Sequence, residues 1–95
     1  MAVETTRFDI QNYIKTRDDQ RAYLATVLED GDSSLIAAAL GDIARAHGAS
    51  LFAKETGLSR ETIYKALRPG GNPTLETLSK AIKVLGLKLV LAPAD

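Results

Sequence analysis

The sequence contains no cysteine and no tryptophan, and it has a single histidine. Disulfides and thiolate metal sites are therefore excluded, and the absence of cysteine suits a reducing cytoplasm. His47 has no second histidine or cysteine with which it could bind a metal ion or form a catalytic nucleophile–base pair. It lies at the C-terminal end of a predicted helix, where a cationic side chain interacts favourably with the helix dipole. No cofactor, no metal and no enzymatic activity are expected.

Long apolar runs are also missing, because no stretch approaches the roughly 20 residues of a membrane span. The start, MAVETTRF, lacks the basic and apolar pattern of a signal peptide. We therefore expect a cytoplasmic protein with no membrane partner. With 95 residues, of which 45% are hydrophobic and 5% aromatic, the chain is expected to form one domain, 1–95, with a small core that would gain from dimerisation.

The formal net charge is zero, but the charges are unevenly distributed. Residues 1–35 carry four basic and seven acidic side chains, a net −3, whereas residues 36–95 carry eight basic and five acidic ones, a net +3. Such a division is typical either of differently solvated surfaces or of a protein with two partners.

Apolar periodicity predicts N-terminal helices over residues 8–47. A short helix spans Phe8 to Ile14. A second begins after Thr16, which can cap it, and ends at Gly31. A third, expected to be central, continues from Asp32 or Ser33 to Gly48.

Residues 49–68 read as a helix, a tight turn and a second helix. Gly57 can take the positive φ of such a turn, and Ser59 is a good N-cap. Within the second helix one face is apolar and packs, while the other is free to contact a partner and carries Glu61, Tyr64, Lys65 and Arg68.

The remainder of the chain is predicted to hold a last helix and a strand. Thr74 can cap a helix over 74–86, in which four apolar residues face inward: Leu75, Leu78, Ile82 and Leu85. In residues 87–91, three leucines alternate with Lys88 and Val90: Leu87, Leu89 and Leu91. A lone strand needs a partner, which the same strand of a second subunit would supply. Alternatively, the tail is irregular and packs its leucines on the last helix.

Ala53, Gly57, Ser59 and Ile63 match the pattern of phage repressor-like (Xre-type) helix-turn-helix proteins. This resemblance implies an all-α single domain of five to six helices containing a lambda repressor-like helix-turn-helix, whose second helix enters the DNA major groove. It implies base-edge contacts from Arg60, Glu61 and Lys65 on a helix capped by Ser59. Sugar or phosphate contacts are expected from Tyr64, Arg68, Lys54, Asn72 and Thr74.

A wider resemblance covers nearly the whole chain. It is carried by Phe8-Asp9, Tyr23-Leu24, Ala39-Leu40-Gly41-Asp42, Gly57-Leu58-Ser59-Arg60, Tyr64-Lys65-Ala66-Leu67, Asn72-Pro73 and Leu85-Gly86-Leu87. These motifs resemble the addiction-module antidote family, which is similar to host-inhibition-of-growth antitoxins. The resemblance implies a type II antitoxin that neutralises a RelE-like toxin encoded next door and represses its own operon as a homodimer on double-stranded operator DNA. Alternatives are a stand-alone prophage-type repressor and a protein-interaction module that does not read DNA.

Overall fold

The computed structural model describes residues 13–94, and these contain five helices. They are α1 (Arg17–Asp30), α2 (Ser33–His47), α3 (Ala49–Thr56), α4 (Arg60–Ala66) and α5 (Leu75–Lys83). No strand occurs within the described residues, so the all-α expectation is confirmed there. The helix predicted from Phe8 falls almost wholly outside the described part of the chain.

The predicted start and stop signals of the first two helices are confirmed. The Thr16 hydroxyl accepts a hydrogen bond from the Asp19 N–H at 3.0 Å, and the Asp32 carboxylate accepts one from the Ser34 N–H at 2.9 Å. These bonds satisfy N–H groups that have no partner inside the helix. Gly31, with a φ of 77°, ends α1 in the left-handed conformation that glycine adopts without strain.

Helix α2 lies at the centre of the domain, as expected. Every residue from Ala37 to Ala44 is buried, and α2 packs against α1, α3 and α4. Alanine and glycine on its surface allow the neighbouring backbones to approach closely. At Gly41 an added Cβ would lie only 2.1 Å from the carbonyl oxygen of Leu67, just beyond the end of α4. The central helix therefore sets the position of α4 through direct backbone packing.

The end of α5 is closed by a Schellman turn and fastened to α1. The Gly86 N–H donates to the Lys83 carbonyl at 2.9 Å, and the Leu87 N–H donates to the Ile82 carbonyl at 3.2 Å. The Arg21 Nε donates to the Leu85 carbonyl at 2.5 Å, across 64 positions of sequence. The first and last described helices are thus joined directly.

The C-terminal region departs from the sequence pattern at two places. The expectation that Leu75 faces inward is wrong, because Leu75 is 70% exposed and the packed part of the α5 face begins only at Thr77. No strand is seen over residues 87–91 of the single chain, and the pairing of this segment with a second subunit stays a prediction. Leu87 packs against the core, whereas Leu89 and Leu91 are exposed. The alternative of an irregular tail describes this segment, although only its first leucine reaches the core.

Candidate nucleic-acid interface

The turn between α3 and α4 is fixed by backbone conformation and by one threonine. Gly57 has a φ of 79°, and its N–H donates to the Ala53 carbonyl at 2.9 Å. The Thr56 hydroxyl donates to the Phe52 carbonyl at 2.7 Å and accepts from the Leu58 N–H at 3.1 Å. Leu58 packs partly buried against the core beneath the turn. The sequence pattern identified the glycine, but not Thr56, whose role depends on its side-chain rotamer.

Helix α4 begins at a capped N-terminus and is anchored from below. The Ser59 hydroxyl accepts from the Thr62 N–H at 3.0 Å and donates to the Thr62 hydroxyl at 2.9 Å. Ser59 therefore shapes the start of the helix, and its hydroxyl proton is already engaged. Ile63 and Leu67 are buried on the inner face, which holds the short helix against the core.

The outer face of α4 carries two pairs of interacting side chains one turn apart. The Arg60 guanidinium donates from Nη2 to the Tyr64 hydroxyl at 3.1 Å and lies 5.7 Å from the centre of the tyrosine ring. The hydrogen bond to Tyr64 raises the pKa of Arg60 above its ordinary value. The Lys65 ammonium contacts the Glu61 carboxylate at 2.7 Å. The structure therefore places these four predicted residues together on one exposed surface.

The other predicted contact residues lie on the flanking elements. Lys54 is exposed in the last turn of α3, and the exposed Arg68 follows α4, where its Nε donates to the Lys65 carbonyl at 3.0 Å. Asn72 is exposed in the loop before α5. Thr74 is the N-cap of α5, and its hydroxyl accepts from the Thr77 N–H at 3.1 Å. The Thr74 hydroxyl, like that of Ser59, is already used to cap a helix. A contact from either hydroxyl to a ligand would have to form while the capping bond is kept.

The loop after α4 is tied back to the central helix. The Gly70 N–H donates to the Ser34 hydroxyl at 3.0 Å, which links this loop to the first turn of α2. An added Cβ at Gly71 would lie 2.2 Å from the carbonyl oxygen of Ala66, so the loop passes directly against the end of α4. Gly71 therefore allows a close backbone approach, whereas Gly70 supplies a left-handed conformation with a φ of 77°.

A contact that the sequence did not indicate joins α2 to α3. His47, at the end of α2, contacts the Glu55 carboxylate through Nε2. Its ring meets that of Phe52 edge to face, with centroids 5.9 Å apart. His47 was predicted only as a cation at a helix end. Its contact with Glu55 depends on the direction in which the chain turns at Gly48. Helical periodicity does not predict that direction.

The exposed surface formed by α4 and its flanks has an excess of positive charge. Lys54, Arg60, Lys65 and Arg68 are cationic, and Glu61 is the acidic residue on the outer face of α4. Among residues 13–94, no three histidine, cysteine or carboxylate side chains are grouped so that they could hold a metal ion. None of the helices described here is long and apolar enough to cross a bilayer.

Comparison with known proteins gives a consistent assignment. A family model described as "Probable addiction module antidote protein" matches residues 4–93. An uncharacterized protein of Haemophilus influenzae is 40% identical over 88 residues, which cover 93% of this chain and 91% of the relative. No solved structure matches the chain. Because the family model spans nearly every residue, the chain belongs to the addiction module antidote family.

Proposed function

We propose that the protein is the antitoxin of a type II toxin–antitoxin module, which binds operator DNA through α4, represses its own operon and neutralises its cognate toxin by direct binding. Membership of the antidote family supports the antitoxin role. The observation that carries the DNA-binding part is the outer face of α4, where Arg60, Glu61, Tyr64 and Lys65 project together from a capped, anchored helix.

In this proposal the start of α4 enters the major groove. Arg60 or Lys65 pairs with guanine O6 and N7, and Glu61 accepts from cytosine N4. Tyr64 and Arg68 contact sugar or phosphate at the groove edge. The Glu61–Lys65 pair must open for both residues to read bases. Both side chains are about three-quarters exposed, and pairs of this kind contribute only about 0.2–1 kcal/mol, so the DNA can readily replace their contact.

Lys54, Asn72 and Thr74 flank α4 and are proposed to position it by phosphate contacts. A homodimer presents two copies of α4 to one side of the duplex. Half-sites centred about 34 Å apart, one helical turn, suit that arrangement. The protein is proposed to act in the cytoplasm without catalytic activity.

The proposed toxin contact involves the acidic N-terminal part of the chain. On α1 the exposed carboxylates are Asp18, Asp19, Glu29 and Asp30, and among them only Asp18 contacts a described cation, Arg21, at 3.8 Å. A RelE-like toxin acts on messenger RNA and is expected to present a basic surface, which is complementary to this face.

Fluorescence anisotropy against DNA from immediately upstream of the gene, with excess unrelated DNA and varied salt, tests the DNA-binding part. We expect saturable binding that survives the competitor and weakens with salt. Arg60→Ala should weaken operator binding by about 1–3 kcal/mol, roughly 5- to 150-fold. Arg17→Ala, an exposed arginine on α1, is the matched control and should leave binding unchanged.

The outcomes separate the candidate functions. If Arg60→Ala and Arg17→Ala bind the operator equally well, α4 is not the reading helix. If the folded wild type binds no better than the competitor allows, the protein-interaction module is favoured. Operator binding without toxin neutralisation, measured by co-expression with the product of the neighbouring gene, favours the stand-alone repressor.

A further inference from the structure

An open hollow of about 400 Å³ lies between α1, α5 and the C-terminal tail, residues 87–91. Its lining is mainly apolar and includes Leu24, Leu28, Leu78, Ile82 and Leu89. Two alanines on the same face of α1, Ala22 and Ala25, also line it, and their small side chains leave the space unfilled. Because Ala25 and Leu89 are exposed, a ligand can enter the hollow from solvent.

The charged residues at this hollow are cations. Arg21 and Lys88 line it, and no described carboxylate does. A neighbouring hollow, which shares Lys88, adds Lys80 and Lys83 and again no described carboxylate. Lys80 is paired with Glu76 at 3.2 Å. Lys83 and Lys88 make no ion pair with any described residue, so the positive charge beside the hollow is largely uncompensated.

Arg21 is held in a defined position at the edge of the hollow. Its Nε donates to the Leu85 carbonyl at 2.5 Å. An added Cβ at Gly86 would lie 2.6 Å from Nη2, so this glycine leaves room for the guanidinium. The contact of Nη1 with Asp18 is 3.8 Å long, and the Asp18 side chain is 95% exposed, so solvent screens that pair. Arg21 is therefore a preorganised cation that can still receive an anion.

An apolar space edged by uncompensated cations is complementary to a molecule with an apolar body and an anionic group. A cationic amphiphile would be repelled, and a purely apolar molecule would gain nothing from the charges. Small-molecule sites typically have volumes of about 300–1,000 Å³, a mostly apolar lining and a few charged groups, whereas protein interfaces extend over roughly 800 Å² of each partner. The size and the lining of this hollow therefore favour a small molecule over a protein segment.

We propose that the hollow binds a free straight-chain carboxylate, with the alkyl chain against Leu28, Leu78 and Leu89 and the carboxylate at Arg21 and Lys88. A methylene group is close in size to a water molecule, whose share of liquid volume is about 30 Å³, so eight to ten carbons need roughly 240–300 Å³ and fit the hollow. The guanidinium provides the parallel N–H donors that suit a carboxylate. Helix α4 does not border the hollow, so the site is separate from the proposed DNA-contacting face.

Isothermal titration calorimetry of the full chain with decanoate tests this site. We expect saturable binding of one molecule per chain. Octanoate should bind roughly 16-fold more weakly, because each buried methylene group contributes about fourfold in affinity. Decyltrimethylammonium, which has the same chain length and the opposite charge, should bind at least about tenfold more weakly than decanoate. Each compound is used below the concentration at which it forms micelles.

Two pairs of variants locate the charge and the chain of the ligand. Lys88→Gln removes an exposed cation and should weaken decanoate binding about two- to fivefold, whereas Lys15→Gln, at an exposed lysine that borders neither hollow, should leave it unchanged. Ala25→Leu fills part of the hollow and displaces two or more methylene groups, so binding should weaken at least about tenfold. Thr26→Leu, at the next exposed position of α1 and outside the lining, is its matched control. Circular dichroism verifies that all four variants remain folded.

Three results would overturn the proposal. Folded wild type that shows no saturable binding of decanoate would leave the hollow to a protein partner. Equal affinities for decanoate and decyltrimethylammonium would show that the cations take no part in binding. Equal effects of Ala25→Leu and Thr26→Leu would show that the alkyl chain lies elsewhere. None of these results bears on the DNA-binding proposal, because α4 borders neither hollow.

Discussion

Replacing Gly41 with alanine is expected to destabilise the protein, although alanine is the better helix former. In an unconstrained helix this change contributes about 0.5–1 kcal/mol of stability. At Gly41, however, the new Cβ would lie 2.1 Å from the Leu67 carbonyl oxygen and 3.0 Å from its carbon. Both obstructing atoms belong to the backbone, so relief requires α2 and the end of α4 to separate by about 1 Å or more.

Overpacking of this kind typically costs about 1–3 kcal/mol, and backbone obstruction favours the upper end of that range. After subtraction of the gain in helix propensity, a net loss of about 1–2 kcal/mol remains. For a domain of this size the melting temperature should fall by about 4–8 °C for each kcal/mol. The expected decrease is therefore roughly 4–16 °C. Operator affinity should also fall, because the displaced Leu67 anchors α4.

Thermal unfolding followed by circular dichroism measures this effect. The difference between Ser50→Ala and Ser50→Gly, at an exposed position in α3 that lines no hollow, calibrates the propensity contribution without a steric one. If Gly41→Ala melts at or above the temperature of the wild type, the close packing between α2 and α4 does not position α4, and the reasoning fails.

Three further predictions concern the α3–α4 region. Ser59→Ala should cost about 1 kcal/mol of stability by removing the cap of α4, measured by denaturant unfolding, whereas Ser50→Ala, at an exposed serine without a capping bond, should be close to neutral. Glu61→Gln should release Lys65 from its ion pair and strengthen binding to unrelated DNA. The slope of the logarithm of the DNA-binding constant against the logarithm of the salt concentration should become steeper by about 1, and an unchanged slope would show that the pair does not restrain Lys65. Thr56→Val should cost about 1–3 kcal/mol, because a part-buried N–H two residues later loses its acceptor, and a stability equal to wild type would contradict that role.

Features set by neighbouring residues could be predicted from the sequence. Thr16, Asp32, Ser59 and Thr74 cap their helices through bonds that reach only two or three positions along the chain. A positive φ at Gly57 likewise follows from the local requirement of a tight turn. The exposed face of α4 was predicted for the same reason, since helical periodicity alone separates its two sides.

Features that depend on distant segments were missed or wrong. The role of Gly41 depends on Leu67, and the contact of His47 depends on how α3 leaves Gly48. The alternation of residues 87–91 indicated a strand, but period two alone cannot supply a neighbouring strand. Leu75 has the spacing of a core residue, but the first turn of α5, where Leu75 lies, is not covered by the rest of the domain.

The hydrogen bond from Arg21 to the Leu85 carbonyl joins α1 to the end of α5, so the helices are not expected to fold as separate units. Helix α1 carries the proposed toxin surface, whereas α4 carries the proposed DNA-contacting face. A truncated chain that began at α2 would lose the Arg21 donor and uncover the core surface on which the buried Leu24 packs. Fragments retaining only α2 to α5 should therefore unfold rather than persist as separate DNA-binding units. Toxin recognition and operator recognition would then be gained and lost together, because a single cooperative folding transition governs both.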